Sequence, residues 1–377
     1  MIPPFSGALR RTALVVVALL VIGGVAVYAL DPFGLRTQPA PEDGPDVRDG
    51  EIMITNGVKH IVPLSKILSG GPAKDGIPSI DNPKFTTAEE ADAWLGEDDL
   101  VLGIYLNGVA KAYPHRIVVW HEIVNDFVGD TPIVATYCPL CFTGAAFIRI
   151  LDGETVEFGV SGKLYNSDLV MYDRKTDSYW SQILGQAIVG ELAGMKLERI
   201  TLDTLKWGNW KSLHPDTLVL SQDTGHFRDY SRDPYAGYYT SNAIIFPVDN
   251  EDDRLHNKAI VYGVEFEGHA RAYPEVEMEK ARLVNDDLAD HPLLVLWDPD
   301  KEVVAIFERM VGDTVLTFEL RNGRLFDQQT DSEWTFEGEA IAGMHRGTSL
   351  NRIISPPDFW FAWAAFNPGT ELFLASG

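Results

Sequence analysis

The sequence predicts a mainly β, β-rich α+β protein built as two tandem internal repeats of the same fold, preceded by one N-terminal transmembrane helix. Three observations carry this expectation. An uncharged apolar run lies near the N-terminus, from Thr12 to Leu30. A set of rare residues recurs in the same order in the two halves of the remaining chain. Short runs rich in Val, Ile, Tyr and Phe alternate with turn dipeptides such as Asn107-Gly108, Asp152-Gly153 and Asn322-Gly323, the pattern of strands joined by tight hairpins.

From the N-terminus, Arg10 and Arg11 precede the apolar run. Its roughly 19 residues make about 28 Å of helix, close to the thickness of a bilayer core. The two arginines place the N-terminus in the cytoplasm and the rest of the chain outside it. Val27 and Ala29 offer a cleavage site for a signal peptide, with secretion after cleavage as the alternative. The run is long for a signal, which favours an uncleaved single-pass anchor. Residues 1–30 are thus read as anchor or signal, and the Pro-, Gly- and acid-rich residues 31–50 as a linker. Residues 51–245 form a first repeat with its connecting loop, and residues 246–377 a second, degenerate repeat.

The repeat is read directly. Gly103 to Pro114 matches Gly263 to Pro274, and Val124-Asn125-Asp126 matches Val284-Asn285-Asp286 at the same offset. Thr176-Asp177-Ser178 with Trp180 matches Thr330-Asp331-Ser332 with Trp334. Trp207, Trp210 and Pro215 close the first copy, Trp360, Trp363 and Pro368 the second; these tryptophans read as core pegs. Thr86 followed by Glu89-Glu90 predicts a short capped helix, and further helices are expected near Leu202 to Ser212 and Asp358 to Phe366. Between the copies, Arg228 to Tyr239 is a polar, Tyr-rich loop.

The formal charge of −24 over 377 residues argues against a nucleic-acid partner, which requires basic surface. Two cysteines cannot staple a chain this long, so they are not a structural disulfide framework. They are spaced C-x-x-C at Cys138 and Cys141, with Pro139 pre-setting a turn between them. Duplication supplies an internal control: features of both copies serve the fold, and features of one copy are candidates for function. Cys138 falls opposite Asp298, Cys141 opposite Lys301, and His121-Glu122 opposite Ala281-Arg282. The stretch Ser161 to Asp173 is shortened in the second copy to Arg321 to Asp327.

Two chemistries suit the dithiol. Thiol–disulfide or peroxide-type redox would use Cys138 as the better exposed nucleophile and Cys141 as resolver, tuned by His115, His121 or Arg149. Transition-metal binding, of Zn or Cu, would use Cys138 and Cys141 with His121 and Glu122. A scaffold without catalysis is the third reading. Tyr165, Asn166, Ser167, Asp168 and Tyr172 offer polar groups for a small-molecule pocket, and Arg228, Tyr230, Arg232 and Tyr235 either a lid over it or a tie between the two copies. The partner of the redox reading is a small molecule or a thiol or disulfide.

Three motifs together, Tyr137-Cys138-Pro139-Leu140-Cys141, Gly162 to Arg174 and Arg228 to Tyr238, resemble the DUF3179 family, over a span from about Gly76 to the C-terminus. The family includes selenoproteins. The resemblance therefore implies redox chemistry at a chalcogen in the Cys-Pro-x-Cys turn.

Overall fold

A computed structural model describes residues 51–375. The expected anchor and the linker lie outside the described residues; among those described, no helix is long and apolar enough to cross a membrane. The protein is mainly β, with 43% strand against 10% helix.

In the first half, β1 (Leu100–Leu106) and β2 (Val109–Pro114) form a hairpin that leads into the one-turn helix α1 (His115–Val118). An antiparallel meander follows, β3 (Ile123–Val128), β4 (Thr131–Cys138) and β5 (Thr143–Ile148). Then come β6 (Phe158–Tyr165), β7 (Asp168–Asp173), β8 (Tyr179–Ser181) and β9 (Gln186–Val189) in one sheet, and the helix α2 (Trp207–Leu213).

The second half repeats these pairings. It contains the hairpin β10 (Ile260–Phe266) and β11 (His269–Pro274), then the helix α3 (Glu275–Ala281). The meander is β12 (Leu283–Leu288), β13 (His291–Asp298) and β14 (Val303–Glu308). A smaller sheet holds β15 (Phe318–Arg321), β16 (Arg324–Asp327), β17 (Glu333–Trp334) and β18 (Ala340–Ala342). Strand β19 (Pro357–Phe359) and helix α4 (Trp360–Phe366) follow. The registers coincide: Cys138 pairs with Thr143 across its turn, and Asp298 with Val303 across the corresponding one.

The shared residues hold the folds together. Gly103 and Gly263 lie so close under Trp210 and Trp363 that an added Cβ would stand 2.3 Å from either ring. Asp173 accepts from Trp180 Nε1 and from the backbone and hydroxyl of Thr176; Asp327 does the same with Trp334 and Thr330. Lys111 and Tyr113 meet at Asp126, as Arg271 and Tyr273 do at Asp286. These buried and half-buried acceptors and donors complete one another, as polar groups withdrawn from water require.

Three local expectations change. The helix at Ala88–Ala91 is capped by Thr87 rather than Thr86, with Glu90 completing the capping box. Residues Asp203–Lys206 are a strand paired with β1, so α2 starts only at Trp207. Likewise Pro357–Phe359 pairs with β10 before α4 begins.

Strand alternation places the cysteines. Along β4, Ile133, Ala135 and Tyr137 enter one apolar cluster with Tyr113 and Ile117. Val134 and Cys138 enter the other, with Phe158 and Trp180. Successive side chains point to opposite faces, and both faces here are covered. Cys138 is thereby directed toward the sheet that carries the β6–β7 turn.

Candidate functional site

The turn after β4 is closed by a hydrogen bond from Cys141 N to Cys138 O at 3.2 Å. Phe142 then takes a left-handed conformation, φ 62°, before β5 starts. Opposite it, β6 and β7 are joined by Asn166-Ser167, both at positive φ (50° and 64°), as a two-residue type I′ hairpin demands. Strand β6 has eight residues where β15 has four, and the longer hairpin delivers Ser167 and Asp168 to the thiols. Ser167 O lies 3.4 Å from Cys141 Sγ and 4.0 Å from Cys138 Sγ. The two sulfurs and a carboxylate oxygen of Asp168 all lie within 4.8 Å of one another. Asn166 turns away and accepts from Asp249 N at 2.9 Å.

Asp168 is fully buried. Its Oδ2 accepts from Ser181 Oγ at 3.0 Å and Ile183 N at 3.1 Å, whereas Oδ1 has no hydrogen-bond partner, and neither does the buried Ser167 Oγ. Burial lifts its carboxyl to about 7, against the pull of the Ile183 and Ser181 donors. Cys138 is 1% exposed and Cys141 0%, so the expectation of an exposed first cysteine is corrected: packing on both faces of β4 covers both. Burial, then the hydrogen bond to Cys138, pushes the Cys141 thiol well above the ordinary range.

Other groups at the site come from far along the chain. Asp358 of β19 accepts from the Thr143 hydroxyl, and Phe359 N donates to Cys141 O at 2.9 Å while its ring stacks on Phe142. Burial raises Asp358 to about 7. Glu122 is raised to about 8 by burial and then by the Asp168 charge. Tyr238 donates to Leu140 O at 3.1 Å, and Tyr235 and Tyr239 pack on the same cluster. Lys258 lies buried over the Tyr238 ring at 4.0 Å, lowered to about 8 by burial and drawn partly back by Cys141. Partly buried Arg199 feels both Asp358 and Asp168.

Several residues singled out from sequence go elsewhere. His121 Nδ1 donates to Pro78 O and Nε2 accepts from the Tyr230 hydroxyl, both at 2.7 Å. With both ring nitrogens engaged it stays neutral, its pKa lowered to about 4 by burial. Neither His121 nor Glu122 belongs to the ligand group that Asp168 completes, so the expected ligand set is corrected. Tyr172 donates to Asp75 Oδ2 at 2.7 Å, away from the thiols. Tyr165 packs edge-on against Phe366. Of the lid residues, Tyr230 serves His121 and Thr224, Arg228 bonds the Phe227 carbonyl, and Arg232 offers its backbone oxygen to Trp120. Arg149 binds backbone oxygens of Asp126, Ile133 and Val156, and its counterpart Arg309 reaches Asp286 and Leu316 in the same way. That makes it a fold residue. His115 Nε2 meets the Tyr137 hydroxyl at 2.8 Å, on the opposite face of β4 from Cys138.

In the second half the corresponding turn is an ordinary ion pair: Lys301 Nζ meets Asp298 Oδ2 at 2.7 Å, and Asp298 Oδ1 accepts the Asp300 and Lys301 amides. By register Arg324 corresponds to Val170, so the shortened hairpin of the second half ends before any residue reaches the position of Asp168. The dithiol and its carboxylate are thus absent together from that half.

A family model described as "Protein of unknown function (DUF3179)" matches residues 74–370. No curated protein and no solved structure matches the chain.

Proposed function

The chain belongs to the DUF3179 family, and we propose that it is a thiol–disulfide redox protein whose centre is the Cys138–Cys141 turn. The observation that carries this reading is the convergence of both sulfurs on one carbonyl, Ser167 O, at 4.0 and 3.4 Å. A turn closed between residues i and i+3 keeps their Cα atoms within about 7 Å, and a disulfide needs about 4.4–6.8 Å. Bond formation therefore asks for side-chain rotation rather than refolding.

The chemistry is a two-electron exchange. A small-molecule disulfide is attacked by the Cys138 thiolate, one thiol leaves, and Cys141 then displaces the second as the Cys138–Cys141 bond forms. Two thiol equivalents are released. Cys141 holds its proton well above the ordinary thiol range, which suits it to the resolving step. Both sulfurs lie under the Tyr235–Tyr239 cover, which favours a small substrate over a folded protein partner. In the same reading, the apolar segment Thr12 to Leu30 holds the protein at a membrane with this site outside the cytoplasm, where disulfides persist. Recovery of the full chain in the carbonate-washed supernatant rather than in membranes would count against that placement.

The test is trapping. Full-length Cys141→Ser, incubated with a low-molecular-weight disulfide, should accumulate a mixed disulfide seen by intact mass. Cys138→Ser should accumulate at least tenfold less. Equal trapping at both cysteines, or none at either, would remove the assignment. A scaffold role predicts that the double Cys→Ser protein keeps its cellular function.

A further inference from the structure

We infer that the reduced site is also a three-ligand binding site for a thiophilic divalent cation of the Zn2+ class, formed by Cys138 Sγ, Cys141 Sγ and the Asp168 carboxylate, and that disulfide formation expels the ion. The inference shares the dithiol with the redox reading but stands on separate geometry.

The ligand atoms are already gathered. Tetrahedral bonds of about 2.3 Å to sulfur and about 2.0 Å to oxygen place two sulfurs about 3.8 Å apart and sulfur and oxygen about 3.5 Å apart. Here all three atoms lie within 4.8 Å of one another, so closing on an ion asks for movements of about 1 Å. Asp168 is held from behind by Ser181 and Ile183 through Oδ2, which fixes the carboxylate while leaving Oδ1 without a partner at zero exposure. A buried carboxylate oxygen with no donor costs free energy, and a cation bound between it and the thiolates would satisfy it. The hydrogen bonds to Oδ2 are the kind of outer contact that orients metal ligands.

Charge and softness select the ion. Two thiolates and a carboxylate carry three negative charges; a divalent cation cancels two of them and leaves one, which Arg199 and Lys258 stand near enough to offset. A mixed set of sulfur and oxygen ligands suits Zn2+ better than Cu+, which prefers sulfur alone. Three protein ligands leave a position open for water or a small ligand. The second half has none of the three ligands: Asp298 and Lys301 stand at the cysteine positions, and its shorter hairpin ends before the position of Asp168.

The test uses Co2+ as a spectroscopic stand-in on the full-length chain, reduced and chelator-stripped. The wild type should take up one Co2+ per chain with a sulfur-to-cobalt charge-transfer band, and the same protein after oxidation to the disulfide should show none. Asp168→Asn, which keeps the side-chain shape, should weaken binding at least tenfold, while Lys301→Ala should bind as the wild type does. Absence of the band in reduced wild type, or undiminished affinity in Asp168→Asn, would overturn the inference; the first comparison needs no variant to fold. A protein that traps mixed disulfides but binds no Co2+ would sink this inference alone. One that binds Co2+ but forms no disulfide would sink the redox reading and the expulsion with it, leaving the ion site standing.

Discussion

Replacing Asp358 by Asn should change how stability depends on pH more than it changes stability at acid pH. Asp358 comes from β19 in the second half, accepts from the Thr143 hydroxyl beside the cysteine turn, and is buried. Burial raises its carboxyl from 3.8 to about 7, with the Thr143 bond and Arg199 offsetting only part. A carboxyl whose pKa is higher in the folded than in the unfolded state favours folding while protonated. Its contribution is fully present below about pH 4 and is lost as the pH rises through about 7. At about 1.36 kcal/mol per pH unit the loss is on the order of 4 kcal/mol. Asn keeps the shape and an oxygen for Thr143 but does not titrate. Urea unfolding of both proteins at pH 4, 6 and 8 should therefore show the variant gaining on the wild type by about 4 kcal/mol across the series. Groups that do not feel the Asp358 charge cancel in that difference, and Asp168, which it raises, shifts in the same direction as the gain. A difference that stays flat with pH would refute the assignment of Asp358 as a buried carboxyl without full compensation.

Six further substitutions probe the frame around the site. Gly103→Ala and Gly263→Ala each drive a methyl into a tryptophan ring, at 2.3 Å from Trp210 or Trp363. Each should cost about 1–3 kcal/mol in thermal or urea unfolding, and a neutral result at either would contradict the close packing. Lys111→Met removes the cation that meets both Asp126 oxygens, at 3.0 and 2.8 Å in a buried setting. It should destabilise by about 3–5 kcal/mol, and adding Asp126→Asn should recover part of the loss; strict additivity in that cycle would argue against the pairing. Trp180→Phe removes the 2.9 Å bond to Asp173, for an expected cost of about 1–3 kcal/mol, with Trp334→Phe giving a comparable loss through Asp327.

The parts of the fold carried by local pattern were legible in the sequence. Rare Gly, Trp and Pro residues in the same order marked hairpins and pegs whose registers coincide across the two halves. Comparing the halves also separated the dithiol stretch and the Asn166-Ser167-Asp168 insertion from residues that serve both sheets. What stayed hidden depends on contacts far apart in the chain. Asp358 and Lys258 reach the cysteines from more than a hundred residues away, and nothing in their own sequence neighbourhoods marks them. His121 sits near the dithiol in sequence, yet Pro78 O and Tyr230 take both its nitrogens. Tyr172 has the same strand parity as Asp168, but four residues along a strand is about 13 Å, which carries it to Asp75 instead. The exposed nucleophile expected at Cys138 failed because both faces of β4 are covered, which a strand's own alternation does not reveal.

The most direct measurement is the thiol–disulfide equilibrium of the full-length protein across a series of glutathione redox buffers, quenched in acid, alkylated under denaturing conditions and weighed intact. The redox account predicts one cooperative two-electron transition, from chains carrying two alkyl groups to chains carrying none and lighter by two hydrogens than the dithiol form. Two alkyl groups at every buffer poise would contradict it.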